Sequence, residues 1–173
     1  MNRSSTRAGA VHHRRGFSLV EVVICTLLVA VVLVGAMKLL GAAVSGRTKT
    51  ADMARAQQMA QELMTEILNT AYVDSTLPAF GPELLEALGT RVNFDDVDDY
   101  HGWNASPPQD RAGAALANST GWRHTVAVEL VTAADPSATT NSDEGLKRVT
   151  VTISKGALVA ARLVALRSDL YTP

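Results

Sequence analysis

Several things are scarce in this chain. There is one cysteine, Cys25, in 173 residues, so neither an intrachain disulfide framework nor a multi-cysteine zinc site can form. Aromatic residues make up 5%, so any core must be aliphatic. The formal net charge is −1, without the basic excess a dedicated nucleic-acid binder carries. No phosphate-binding glycine loop, catalytic triad or zinc spacing occurs, which argues against an enzyme. What remains, 47% hydrophobic and 19% charged residues, suits one folded domain and excludes a disordered or collagenous chain.

The charge is unevenly spread. Residues 1–16 contain Arg3, Arg7, Arg14 and Arg15 and no acid, so this segment carries +4 and the remaining 157 residues carry −5. An apolar stretch follows at once. Val22 to Met37 is sixteen residues without a charge, interrupted only by Cys25 and Thr26. Phe17 to Leu40 is 24 residues, which as a helix would span roughly 36 Å. A hydrocarbon core is about 30 Å thick, so the segment is long enough to cross it. Its valine content alone would also suit a buried strand, but strands seldom exceed ~10 residues. An ordinary secretory signal is the competing reading, with Gly41-Ala42-Ala43 as the cleavage site. Against it stand the length of the apolar run and a carboxylate, Glu21, at its start.

The stretch Arg14-Arg15-Gly16-Phe17-Ser18-Leu19-Val20-Glu21-Val22-Val23-Ile24 resembles the class III leader of type IV pilins and type II secretion pseudopilins. The resemblance implies cleavage between Gly16 and Phe17 by a prepilin peptidase and N-methylation of Phe17. It also implies assembly through Glu21, which would meet the α-amino group of a neighbouring pilin or pseudopilin subunit. Phe17 and Glu21 stand at i and i+4 on one helical face. A buried charge is costly unless paired, so such a pairing would favour correctly staggered neighbours. Charge alone leans only weakly towards a cytoplasmic leader, because Lys38, Arg47 and Lys49 lie on the far flank. The resemblance implies a single-pass inner-membrane protein with its C-terminal domain on the periplasmic side. Two departures speak against a major pilin: no second cysteine exists to close a C-terminal loop, and Lys38 stands where major subunits often have proline. The strand-like run Leu146-Lys147-Arg148-Val149-Thr150-Val151-Thr152 is also similar to the late strands of minor pseudopilins and PilV-like minor pilins.

Beyond the apolar run, Met53, Ala56, Ala60, Leu63, Ile67 and Ala71 recur every three or four residues. They form one stripe, so the helix is expected to continue to about residue 71 and to pack on a globular part. Met53, Met59 and Met64 read as gap-filling core. A short helix is expected at Glu83–Leu88 and irregular chain over 89–121. The period then becomes two. Thr125–Val131, Lys147–Ser154 and Leu158–Leu166 read as three antiparallel strands, with Asp135 to Gly145 joining the first two. The expected fold class is α+β, a long helix lying on a small antiparallel sheet. Its parts are a leader (1–16), a membrane half of the helix (17–46), an amphipathic half (47–71) and an outer globular domain (72–173).

The densest charge cluster is Asp95, Asp96, Asp98 and Asp99. Carboxylate oxygens suit Ca²⁺, and calcium is the one ligand worth weighing; no cofactor is otherwise expected. The spacing is not that of an EF-hand. The alternative is a solvated loop anchored on the helix by Phe94, Tyr100 and Trp103. His101 and His124 are isolated and read as surface or turn residues. The leading functional expectation is a minor pseudopilin or minor pilin-like structural subunit of a type II secretion or type IV pilus machine. The rival is a membrane-anchored or secreted binding module that presents the acidic loop to calcium or a substrate.

Overall fold

A computed structural model describes residues 16, 18–74 and 79–170. The first element is helix α1, Leu19–Leu68, fifty residues long. No proline interrupts it. Helix α2, Leu84–Ala87, and a 3₁₀ turn at Asp98–Tyr100 follow. Among the described residues four strands follow: β1 (Asn104–Ala105), β2 (Trp122–Leu130), β3 (Leu146–Lys155) and β4 (Leu158–Ser168). They form one antiparallel sheet in the order β1-β2-β3-β4. This is the expected α+β, pilin-like layout.

The chain divides into two compact units between Arg47 and Thr48. In the first, every described residue is exposed, from Leu19 through the whole apolar run. Among the described residues, one helix is long and apolar enough to cross a membrane. Thr26 satisfies its hydroxyl within the helix by donating to Val23 O at 2.9 Å, as a polar group in an apolar medium must.

The second unit holds the core. Ala56, Met59, Ala60, Leu63, Met64 and Ile67 of α1 cluster with Val126 and Val128 of β2 and with Val149, Val151 and Ile153 of β3. The strand residues alternate, so one sheet face is apolar and the other carries Arg123, Thr125, Arg148, Thr152 and Arg162. The helical stripe departs from expectation at both ends. Met53 is exposed, and α1 stops at Leu68, before Ala71. Ala71 instead makes an isolated parallel bridge with Asp96. The last turn of α1 has no basic residue of its own. The sheet supplies cations there: Arg167 Nη2 donates to Thr70 O at 3.0 Å, and Lys147 Nζ donates to Tyr72 O.

The three long strands stand on the three expected runs, each two residues longer; β2 starts three residues earlier than expected and ends at Leu130, one residue short of Val131. The extra strand, β1, pairs Asn104 with Thr125 and Ala105 with His124. Two residues carry no period, so it was not expected.

Candidate functional site

Two places carry the sequence-based site residues: the start of α1 and the acidic turn between α2 and β1. At the start of α1, Gly16 is exposed and lies before the helix; Phe17 and residues 1–15 lie outside the described residues. Ser18 O accepts the first helical amide, from Val22, at 3.1 Å. Glu21 falls in the first turn, where a carboxylate is favoured by the unpaired amides and the positive end of the helix dipole. Its side chain is exposed, as is Cys25 one turn further on.

The acidic turn is not solvated. Asp96, Asp98 and Asp99 are buried, and only Asp95 is exposed. Asp96 Oδ2 accepts from Asp74 N at 2.6 Å and its Oδ1 from Asp98 N at 2.7 Å. Asp99 Oδ2 accepts from the amides of Asp95 and Asp96 at 2.9 and 3.0 Å. Asp98 Oδ2 accepts from Gly81 N at 3.0 Å, and Oδ1 is ion-paired with Lys147 Nζ, both side chains being buried. The ammonium lies 4.3 Å from the centre of the Tyr72 ring. The turn therefore ties residues 71–74 and Gly81 to the segment 94–101 and the start of β3. Phe94 and Tyr100 anchor it as expected, their rings edge to face at 4.9 Å, with Tyr100 OH donating to Glu66 Oε1 on α1 at 3.0 Å.

Of these three buried carboxylates only Asp98 is ion-paired with the buried ammonium, and titration responds to the crowding. Burial, with the charges of Asp98 and Asp99, pushes the Asp96 carboxyl up to about 7. Burial, with Glu83 and Asp99, pushes Glu86 up to about 8. Burial raises Tyr72 and Tyr100 as well.

The four aspartates do not converge on a single point. Among the described residues, the carboxylates that do are Glu83, Glu86 and Asp99, with oxygens within 4.8 Å of one another. Local sequence explains the glutamate pair: Glu83 caps α2 and Glu86 reaches back, its Oε2 accepting from Glu83 N at 3.1 Å. The E-x-x-E spacing was the available signal, but its meeting with Asp99 depends on the fold.

His124 corrects a second expectation. It lies on the inner face of β2, 2% exposed, with neither ring nitrogen hydrogen-bonded. It lines a cavity of about 170 Å³ with Glu66, Arg91 and Arg111. Burial, reinforced by Arg91, lowers its pKa to about 4, so the ring is neutral at physiological pH. Arg91 is held by Glu66 at 2.7 Å and lies 4.4 Å over the Trp103 ring. His101 is exposed, its Nδ1 2.6 Å from Val128 O.

Against this geometry, the comparison with family models is decisive for one end of the chain. Residues 11–37 match the model of the prokaryotic N-terminal methylation motif. The chain carries a class III prepilin leader. That leader is characteristic of type IV pilins and pseudopilins, and with a single long apolar helix behind it the protein fits anchoring in the inner membrane. The leader also implies processing by a prepilin peptidase and assembly with other pilin subunits. The match ends at Met37, within α1, and leaves the outer unit uncovered. Comparison with curated proteins and with solved structures found no match.

Proposed function

We propose that this protein is a minor pseudopilin or minor pilin-like structural subunit of a type II secretion or type IV pilus machine. The observation that carries the reading is the methylation motif over residues 11–37, which runs into a helix with no buried residue up to Ala51. An ordinary signal is discarded, whereas a cut between Gly16 and Phe17 leaves the apolar helix on the mature chain. Gly16 offers bare backbone to the peptidase, and the new α-amino group of Phe17 is the methylation site. The leader stays in the cytoplasm and the outer unit faces the periplasm.

The exposed apolar surface of α1 then has two partners, lipid before assembly and neighbouring helices afterwards. Glu21 gives the second state its register. Its carboxylate pairs with the α-amino group of an adjacent subunit, and only a correctly staggered neighbour satisfies both charges. The subunit thus acts by inserting into a short envelope-spanning fibre that it initiates, caps or adapts, and not by catalysis. The rival reading, presentation of the acidic loop to calcium, has less support. Asp96, Asp98 and Asp99 are buried and bound to backbone amides and Lys147.

Glu21→Val tests the assembly step. Processing and membrane insertion should survive, since the substitution removes a carboxylate that is costly in lipid. Co-purification of the mature variant with its fibre partners should fall well below wild type at matched expression. Undiminished co-purification would reduce Glu21 to a headgroup-level residue and remove the assembly mechanism.

A further inference from the structure

The hairpin joining β3 to β4 turns through two residues, Gly156 and Ala157, with Gly156 at φ +59° in the first loop position. A left-handed residue there is what a tight two-residue turn requires, and glycine adopts it without strain. Directly after the turn stand Leu158 and Val159, 75% and 64% exposed. Met53 of α1, 61% exposed, borders the same open hollow of about 350 Å³. The charged residues around it are Lys49, Lys155 and Asp52. Lys155 Nζ reaches Asp52 at 2.6 Å and lies 5.0 Å from the centre of the Trp122 ring. The surface is therefore an aliphatic hairpin tip bordered by two ammonium groups and one carboxylate, the carboxylate being paired with Lys155.

That chemistry decides between partners. Protein-binding hot spots are built from exposed Trp, Tyr and Arg. This patch offers none: its one aromatic, Trp122, is buried. Aliphatic tips rimmed by lysines suit the boundary between acyl chains and anionic headgroups. Chain connectivity brings such a surface close. Lys49 follows Leu40, the end of the apolar run, by nine residues, and whatever path they take they reach no further than about 30 Å. A tether that short gives the patch a high effective concentration at the bilayer surface.

We infer that the β3–β4 hairpin tip, together with Met53 and Lys49, is a membrane-contact surface. It inserts Leu158 and Val159 into the headgroup region of an anionic bilayer. This rests on the reading that α1 is anchored in that bilayer. The contact would hold the outer unit against the membrane before the subunit is drawn into a fibre, and it would be given up on assembly.

The full-length protein with Cys25→Ser, reconstituted into phosphatidylcholine vesicles with and without phosphatidylglycerol, provides the test. An environment-sensitive fluorophore is attached in separate preparations through Leu158→Cys, Val159→Cys, Asn141→Cys or Leu28→Cys. Asn141 is exposed in the β2–β3 connection, at the opposite end of β3 from the hairpin. The labels at 158 and 159 should be blue-shifted and quenched by spin-labelled lipid, several-fold more strongly with phosphatidylglycerol, while the label at 141 reports water. Lys49→Glu should reduce the response at 158. If the label at 28 sits in hydrocarbon but those at 158 and 159 report water in both vesicles, the inference is overturned. A shift at 158 that appears only when other pilin subunits are added also overturns it, because the patch would then be a protein interface. A label at 28 that reports water sinks the anchoring reading itself, and this inference with it.

Discussion

The two halves of α1 share one backbone and meet opposite surroundings. From Leu19 to Ala51 no side chain is buried, and the sequence is apolar on all sides up to Met37. From Ala56 to Ile67 six residues are buried on one stripe, and the rest of the surface is polar. A helix that is apolar all round needs lipid or other helices, whereas a one-sided stripe needs a single sheet face. The difference explains why the long helix requires both a leader that delivers it to a membrane and a globular unit that covers its far end. It also locates the stability of the described fold: the outer unit has a core of its own, while the first unit contributes no buried side chain.

The largest effect expected on the outer unit comes from its buried ion pair. Lys147→Met leaves Asp98 buried and unpaired beside Asp96, which should cost about 3–5 kcal/mol in urea unfolding. Adding Asp98→Leu should restore much of that loss, because the uncompensated charge is then gone. A loss below 1 kcal/mol for the single variant would mean that the pair is open to water.

A matched pair of truncations sharpens the contrast between the halves. Ile67→Ala empties a fully buried site and should cost about 2–5 kcal/mol. Leu28→Ala removes the same kind of side chain from an exposed position and should change unfolding of the outer unit by no more than about 0.5 kcal/mol. Equal effects would show that the two units do not have separate cores.

A smaller effect is expected from pH. Asp96 and Glu86 are raised in the fold to about 7 and about 8, from 3.8 and 4.5. His124 is lowered to about 4 from 6.5. From pH 6.5 upwards the folded histidine is neutral and the unfolded one binds at most half a proton, which the two raised carboxyls outweigh. The folded chain then holds more protons on its carboxyls than the unfolded chain does. Stability should therefore fall as pH rises from about 6.5 to 8. Glu86→Gln should flatten the upper part of that decline, as read from urea midpoints across the range. A wild-type midpoint that is flat or rising over this window would show that the carboxyls are not raised by the fold.

Features carried by local periodicity were legible in the sequence. The apolar run declared its length, the stripe from Ala56 to Ile67 its face, β2 and β3 their alternation, and β4 its apolar run. Features that depend on distant partners were not. Nothing local marks Asp98 as buried, because its partner Lys147 lies 49 residues on. Without that ammonium, four clustered aspartates read as a solvated loop. His124 was closer to reach. Trp122, His124, Val126 and Val128 keep one period, and extending the strand from Thr125 back to Trp122 puts the histidine inside. Strand β1, two residues long, has no pattern to find. At the leader the sequence was more informative than the fold, since cleavage and methylation depend on local residue types and most of the leader lies outside the described residues.

The central claim is that the chain is cut after Gly16 and retains its apolar helix. Intact mass analysis of the protein from the membrane fraction measures this directly. The account predicts a chain starting at Phe17 whose mass exceeds the unmodified value for residues 17–173 by one CH2 increment, a methyl group replacing an amine hydrogen. A mature chain starting after Ala43, recovered from the soluble fraction, would contradict it and make the N-terminal segment an ordinary secretion signal.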